Sequence, residues 1–148
     1  ASIVANAELV NNFYAIFAFI RDFTPKPFST KESAASSAAQ ACIDGHADLV
    51  IVLSKSADSA NLVCKYRPNA PVLVVSADEK IVRWSSSQFA QYGLVMDVKD
   101  ASLEEFKKSG ALDQALAHAR SLKLIGDKCK GVVLVAEQSE KDLIVSHV

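Results

Sequence analysis

An excess of charge of either sign is missing from this sequence. Its 16 lysines and arginines are offset by 17 aspartates and glutamates, which leaves a net charge of -1. The basic surplus of a general nucleic-acid surface is therefore absent. Long apolar runs are missing too. A bilayer span needs about 18–20 apolar residues, and the most apolar region, 10–23, is interrupted by Asn11, Asn12, Arg21 and Asp22. That region also lacks the basic start and small-residue cleavage pattern of a signal peptide, so no membrane partner is expected. Cysteine is scarce: Cys42, Cys64 and Cys129 stand far apart, an odd number with no close pair. This favours reduced thiols in the cytoplasm and disfavours a metal site built on them. His46, His118 and His147 are isolated, none with a second ligand pair at metal-like spacing, and no catalytic or metal-binding histidine is expected. Neither a nucleophile elbow, a phosphate-binding GxxxxGK[ST] loop nor a GxGxxG fingerprint occurs. Internal repeats and low-complexity linkers are also lacking.

What remains suits one packed domain over residues 1–148, half hydrophobic and 22% charged. Val10, Phe13, Tyr14, Phe17 and Ile20 recur at helical spacing, and the prolines at 25 and 27 then break the helix. Ser29 and Glu32 fit a capping box that opens a second helix, with a small-residue face of Ala34, Ala35, Ala38, Ala39 and Cys42 and a stop at Gly45. Strands are expected over 49–53, 71–76, 94–98, 131–136 and 143–148, and helices over 59–66, 79–90 and 112–124, with a helical turn at 102–108. This alternation predicts an α/β fold, a three-layer αβα sandwich around a five-stranded, mainly parallel sheet. The link 137–142 is too short for a parallel crossover, so the last strand must be antiparallel and lie at the edge.

The most informative stretch is Ser54-Lys55-Ser56-Ala57-Asp58-Ser59, followed by Lys65-Tyr66-Arg67-Pro68. A hydroxyl-rich turn between a buried strand and a helix can hold an anion on free N–H groups at the positive end of the helix dipole. The same turn can be a simple cap, with Ser56 or Asp58 as the N-cap. Lys65, Tyr66 and Arg67 likewise read as a solvated helix end.

This segment resembles the effector-domain signature of pyruvate kinases. Phe23–Ser29 with Glu32–Ala38 resembles the opening of that family's C-terminal domain, and is most similar to plant-type cytosolic members. Gly126-Asp127 before the strand at 132–135 resembles its Gly-Asp approach to the fourth strand. The resemblance implies a C-terminal assembly and allosteric domain that lacks the active site. The intact enzyme would convert phosphoenolpyruvate and ADP to pyruvate and ATP in glycolysis, using magnesium and potassium. The catalytic barrel would be a missing partner, against which the helix within 1–23 packs. That Ala1 stands first, not Met, is then expected of a piece of a longer chain.

The resemblance also implies that Ser54, Lys55, Ser56 and Ser59 hold one phosphate of an effector. Three departures bear on this. Ala57 stands for a glycine, Asp58 for an arginine, and 137–142 lacks the Trp, Arg and Gly-rich run that grips a second phosphate. Glu137, Glu140 and Asp142 oppose a phosphate there, with only Lys141 nearby. Activation by fructose bisphosphate is thus expected to be absent or weak, and a smaller phosphate or sulfate remains the candidate ligand. Family members form tetramers, partly through this domain. The candidate subunit contacts are Trp84 and the edge strand Leu143, Ile144, Val145, Ser146, His147 and Val148. The rival reading is a free-standing anion-binding or protein-interaction module of the same fold. A receiver-type domain is disfavoured, because Leu53 is followed by Ser54 and Lys55 rather than by acids.

Overall fold

The computed structural model describes residues 13–88, 91–96, 103–108, 110–126, 129, 131–137 and 143–147. Short valine- and leucine-rich runs form the strands. β1 (Leu49–Leu53), β2 (Val72–Ser76) and β4 (Val132–Glu137) are buried along their whole length, as strands covered on both faces must be. β3 (Gln91–Val95) pairs with β2, and β5 (Leu143–His147) pairs with β4, giving the order β3-β2-β1-β4-β5. The first four are parallel and β5 is antiparallel. This is the predicted sandwich, with β5 at one edge and β3 at the other.

The period-two alternation of the strands divides the core. Val50, Val52, Val72, Val74, Val133 and Val135 face α2 (Thr30–Asp44) and α3 (Ala57–Lys65), meeting Ala35, Ala38, Cys42, Ala60 and Val63. Leu49, Ile51, Leu73, Val75 and Leu134 face the other side. There they meet Phe106 of α5 (Leu103–Lys108) and Ala115 and Ala119 of α6 (Ala111–Ser121). The small-residue face of α2 lets it approach the valines closely, as its sequence predicts. α1 (Phe13–Phe23) lies outside α2, with Phe17 against Ala39, Ile43 and Tyr66.

Several boundaries differ from the sequence reading. Ser29 caps α2 by accepting from Glu32 N–H (3.1 Å), but the Glu32 carboxylate turns to Lys65 and Tyr66 rather than back to the cap. Gly45 ends α2 in a right-handed conformation, and His46 takes the left-handed one (φ 49°). The helix expected over 79–90 is α4 (Glu79–Ser86), and the strand expected over 94–98 begins at Gln91. Residues 89, 90, 97 and 98 lie outside the described residues.

β3 starts early because Gln91, Tyr92 and Gly93 pair with Val72, Leu73 and Val74 of β2, and Gly93 also lets α4 approach it. A Cβ there would lie 2.4 Å from Val82 Cγ1 and 2.8 Å from the Val82 carbonyl oxygen. Glycine thus permits α4 to sit directly on the strand, where a propensity reading sees only a weak strand former. Gly93→Ala should push α4 off β3 and lower stability by about 1–3 kcal/mol, read as a fall in the urea midpoint. An unchanged midpoint would mean the helix yields freely.

Candidate functional site

The chain runs from β1 through α3 to β2 and β3 on one side of β1, then returns to place β4 on the other side. The carboxyl ends of β1 and β4 therefore adjoin at a topological switch point, the usual ligand position in open α/β sheets. The last paired residues are Leu53 and Ala136. Ser54 follows the end of β1 and Glu137 is the last residue of β4, and both are buried.

All four predicted site residues converge here, on the carboxylate of Glu137. Its Oε2 accepts from the backbone N–H of Lys55 (3.1 Å) and Ser56 (3.2 Å) and from the Ser59 hydroxyl (3.0 Å). Its Oε1 accepts from the Ser56 hydroxyl (3.1 Å) and from Lys31 Nζ (3.3 Å). The Ser54 hydroxyl lies 3.3 Å from Oε2, also meets the Ser56 carbonyl, and accepts from Ser56 N–H (3.3 Å). Ser56 occupies the N-cap position of α3 but makes no capping bond with its side chain, because that hydroxyl is turned to Glu137. The donors of the turn thus converge on a carboxylate of the same chain.

The electrostatics follow from this geometry. Burial works to raise the Glu137 pKa. It is outweighed by the Lys55 N–H, the Ser59 hydroxyl, the Lys31 charge and the Ser56 hydroxyl, which together hold the carboxyl below the ordinary glutamate value. Beside the turn lies a cleft of about 210 Å³ lined by Leu53, Ser54, Lys55, Val75, Ser76, Ala77, Asp78 and Glu137. Asp78 is committed to capping α4 through Lys80 N–H (2.9 Å).

Two sequence expectations change. Glu137, expected in the link after β4, where it would repel an anion, is the last residue of β4, and its own carboxylate meets the donors of the turn. Its compensating cation is Lys31 on α2, a residue that sequence reading did not single out. Glu140, Lys141 and Asp142 lie outside the described residues. Lys65 and Tyr66 are not a merely solvated end: Lys65 Nζ (2.5 Å) and the buried Tyr66 hydroxyl (2.9 Å) both donate to Glu32 Oε1, tying α3 to α2. The Lys65 hydrogen bond is the main reason the Glu32 carboxyl is held below its ordinary pKa.

Among the interface candidates, Trp84 is 45% exposed on α4 and Ile144 is 36% exposed on β5. Val145 packs against the core, and Ser146 Oγ accepts from Lys107 Nζ (2.8 Å). Leu143 and His147 end β5, and Val148 lies outside the described residues. Among the described residues, no group of three or more His, Cys, Asp or Glu could hold a metal ion, and no helix is long and apolar enough to cross a membrane.

Known proteins share both the fold and parts of the sequence. Two solved structures of pyruvate kinase from Cryptosporidium parvum superpose over 97% and 93% of the chain, with TM-scores of 0.76 and 0.73. The second is a complex with ADP. At 24% and 22% identity these show the fold, and the chain covers 27% and 26% of them. Pyruvate kinase 1 of Candida glabrata is 47% identical over 66 residues, which is 45% of this chain and 13% of that protein. The pyruvate kinase of Lachancea kluyveri is 38% identical over 79 residues, 53% of this chain and 16% of that protein. The chain thus corresponds to only a part of these relatives. Residues 32–143 match the family described as pyruvate kinase, alpha/beta domain, and the chain belongs to that family.

Proposed function

We propose that this chain is the regulatory and assembly domain of a pyruvate kinase, working in the cytoplasm. In the whole enzyme, phosphoenolpyruvate and ADP would give pyruvate and ATP at a separate catalytic barrel. That barrel would hold the divalent metal and potassium. The observation that carries the regulatory reading is the seat at the switch point. Two backbone N–H groups, the hydroxyls of Ser54, Ser56 and Ser59, and one lysine converge there on a single anion. Ser54, Lys55, Ser56 and Ser59 would take the phosphate of a small effector rather than a sugar bisphosphate. Occupancy would be felt at the base of the β4–β5 hairpin, whose outer strand is a free edge in the described fold.

That edge and Trp84 are the surfaces we assign to subunit contacts in a tetramer, β5 pairing across a two-fold axis. Within the family we place the chain beside plant-type cytosolic members on segment 23–38, a placement that a tree built from the full-length parent would test.

The purified 148-residue chain should not phosphorylate ADP from phosphoenolpyruvate, and measurable turnover would overturn the assignment. An antibody against the chain, used on an extract of its source, should detect a band several times larger than 15.9 kDa. A band at the chain's own mass would favour a free-standing anion-binding module instead.

A further inference from the structure

Glu137 is held against the turn through both of its carboxylate oxygens. Its side chain is 4% exposed, both oxygens are engaged, and every donor of the turn at residues 54–56 that faces it is used. These donors and the Ser59 hydroxyl belong to residues 78–83 positions away in sequence. The cation Lys31 comes from a third element, α2, and it too is mostly buried. Donors that converge from three elements on one carboxylate form a complete anion-binding set. A free oxyanion would need the same N–H and hydroxyl donors, and a second negative charge cannot share so small a space.

We propose that Glu137 is the resident ligand of the seat and its specificity-determining residue: it fills the anion position from within, and a free phosphate enters only by displacing it. This rests on reading residues 54–59 as an anion seat, and it adds what governs access. Lys31, Lys55, Ser56 and Ser59 do the binding, while Glu137 sets whether the ligand is internal or external. Glu137 is the last residue of β4 and pairs with Leu143, so its release would free the base of the edge hairpin.

The test is a titration of the wild-type chain and of Glu137→Ala with inorganic phosphate, against chloride at matched ionic strength. The readouts are thermal stability and the Lys55 and Ser56 amide resonances. The expected result is phosphate binding to Glu137→Ala roughly tenfold or more tightly than to wild type, with both amides shifting saturably and part of the lost stability restored. Equal binding to both proteins, with those amides shifting, would overturn the resident-ligand inference but leave the seat standing. No binding to either would overturn both. Should Glu137→Ala not fold, Glu137→Gln, which keeps the side-chain volume and removes the charge, goes through the same titration with the same criteria.

Discussion

Glu137→Ala should lower the unfolding free energy by about 3–5 kcal/mol, the range for removing one partner from a buried charged network. The carboxylate is the common acceptor for Lys31, two backbone N–H groups and the serine hydroxyls. Its loss leaves those donors buried without the partner around which they are arranged. Urea unfolding followed by the fluorescence of Trp84, the single tryptophan, measures the effect. A loss below about 1 kcal/mol would mean that water replaces the carboxylate at little cost. The pH dependence has a definite sign. The folded-state pKa of Glu137 lies below its ordinary value of 4.5. Its contribution is therefore fully present above that value, and is lost as pH falls from there through the depressed folded pKa. Glu32, also held low, titrates in the same direction. Stability of the wild type should thus fall with acid below about pH 4.5, and the slope should be shallower in Glu137→Ala.

The position of the hydroxyl-rich turn was legible in the sequence, but the carboxylate that meets it was not. A polar turn after the apolar run 49–53 marks where a strand hands over to a helix, and residues 54–59 do so here. Nothing local reveals that a glutamate 78 residues beyond Ser59 completes the turn, because that proximity arises only when β4 pairs with β1. Lys31 is farther still, 106 positions from Glu137. The three central strands were readable because every residue of them is apolar apart from their last positions, Ser76 and Glu137. The start of β3 was not, since Gln91 and Gly93 answer to their neighbours rather than to strand propensity. Gln91 Nε2 donates to Asn61 Oδ1 (3.1 Å), and Gly93 makes room for Val82.

Replacing Phe19 and Phe23 together by aspartate should leave the isolated chain folded and, on our proposal that α1 packs against a catalytic barrel, sever that contact. α1 is apolar around most of its circumference, so periodicity announces a helix without saying which face is buried. The sequence pointed to the face of Val10, Phe13, Tyr14, Phe17 and Ile20. In the structure Phe17 is buried and Ile20 packs partly against the same cluster, Tyr14 is 52% exposed, and Val10 lies outside the described residues. A second stripe stays bare: Ile16, Phe19 and Phe23 are 43%, 63% and 75% exposed, and the two phenylalanine rings lie 4.5 Å apart. A solvated helix gains nothing from such a stripe, whereas a helix between two domains uses both faces. Burying each phenylalanine against another domain is worth about 1.5–3 kcal/mol, so the double substitution should weaken association by roughly two to four orders of magnitude. The isolated chain should keep its urea midpoint, because neither ring belongs to its core. Measured in the full-length parent, the same change should loosen the contact between the domains, seen as faster proteolysis near α1. If the parent's proteolysis is unaltered, α1 does not face the barrel. If the isolated chain unfolds instead, the stripe belongs to the domain's own packing.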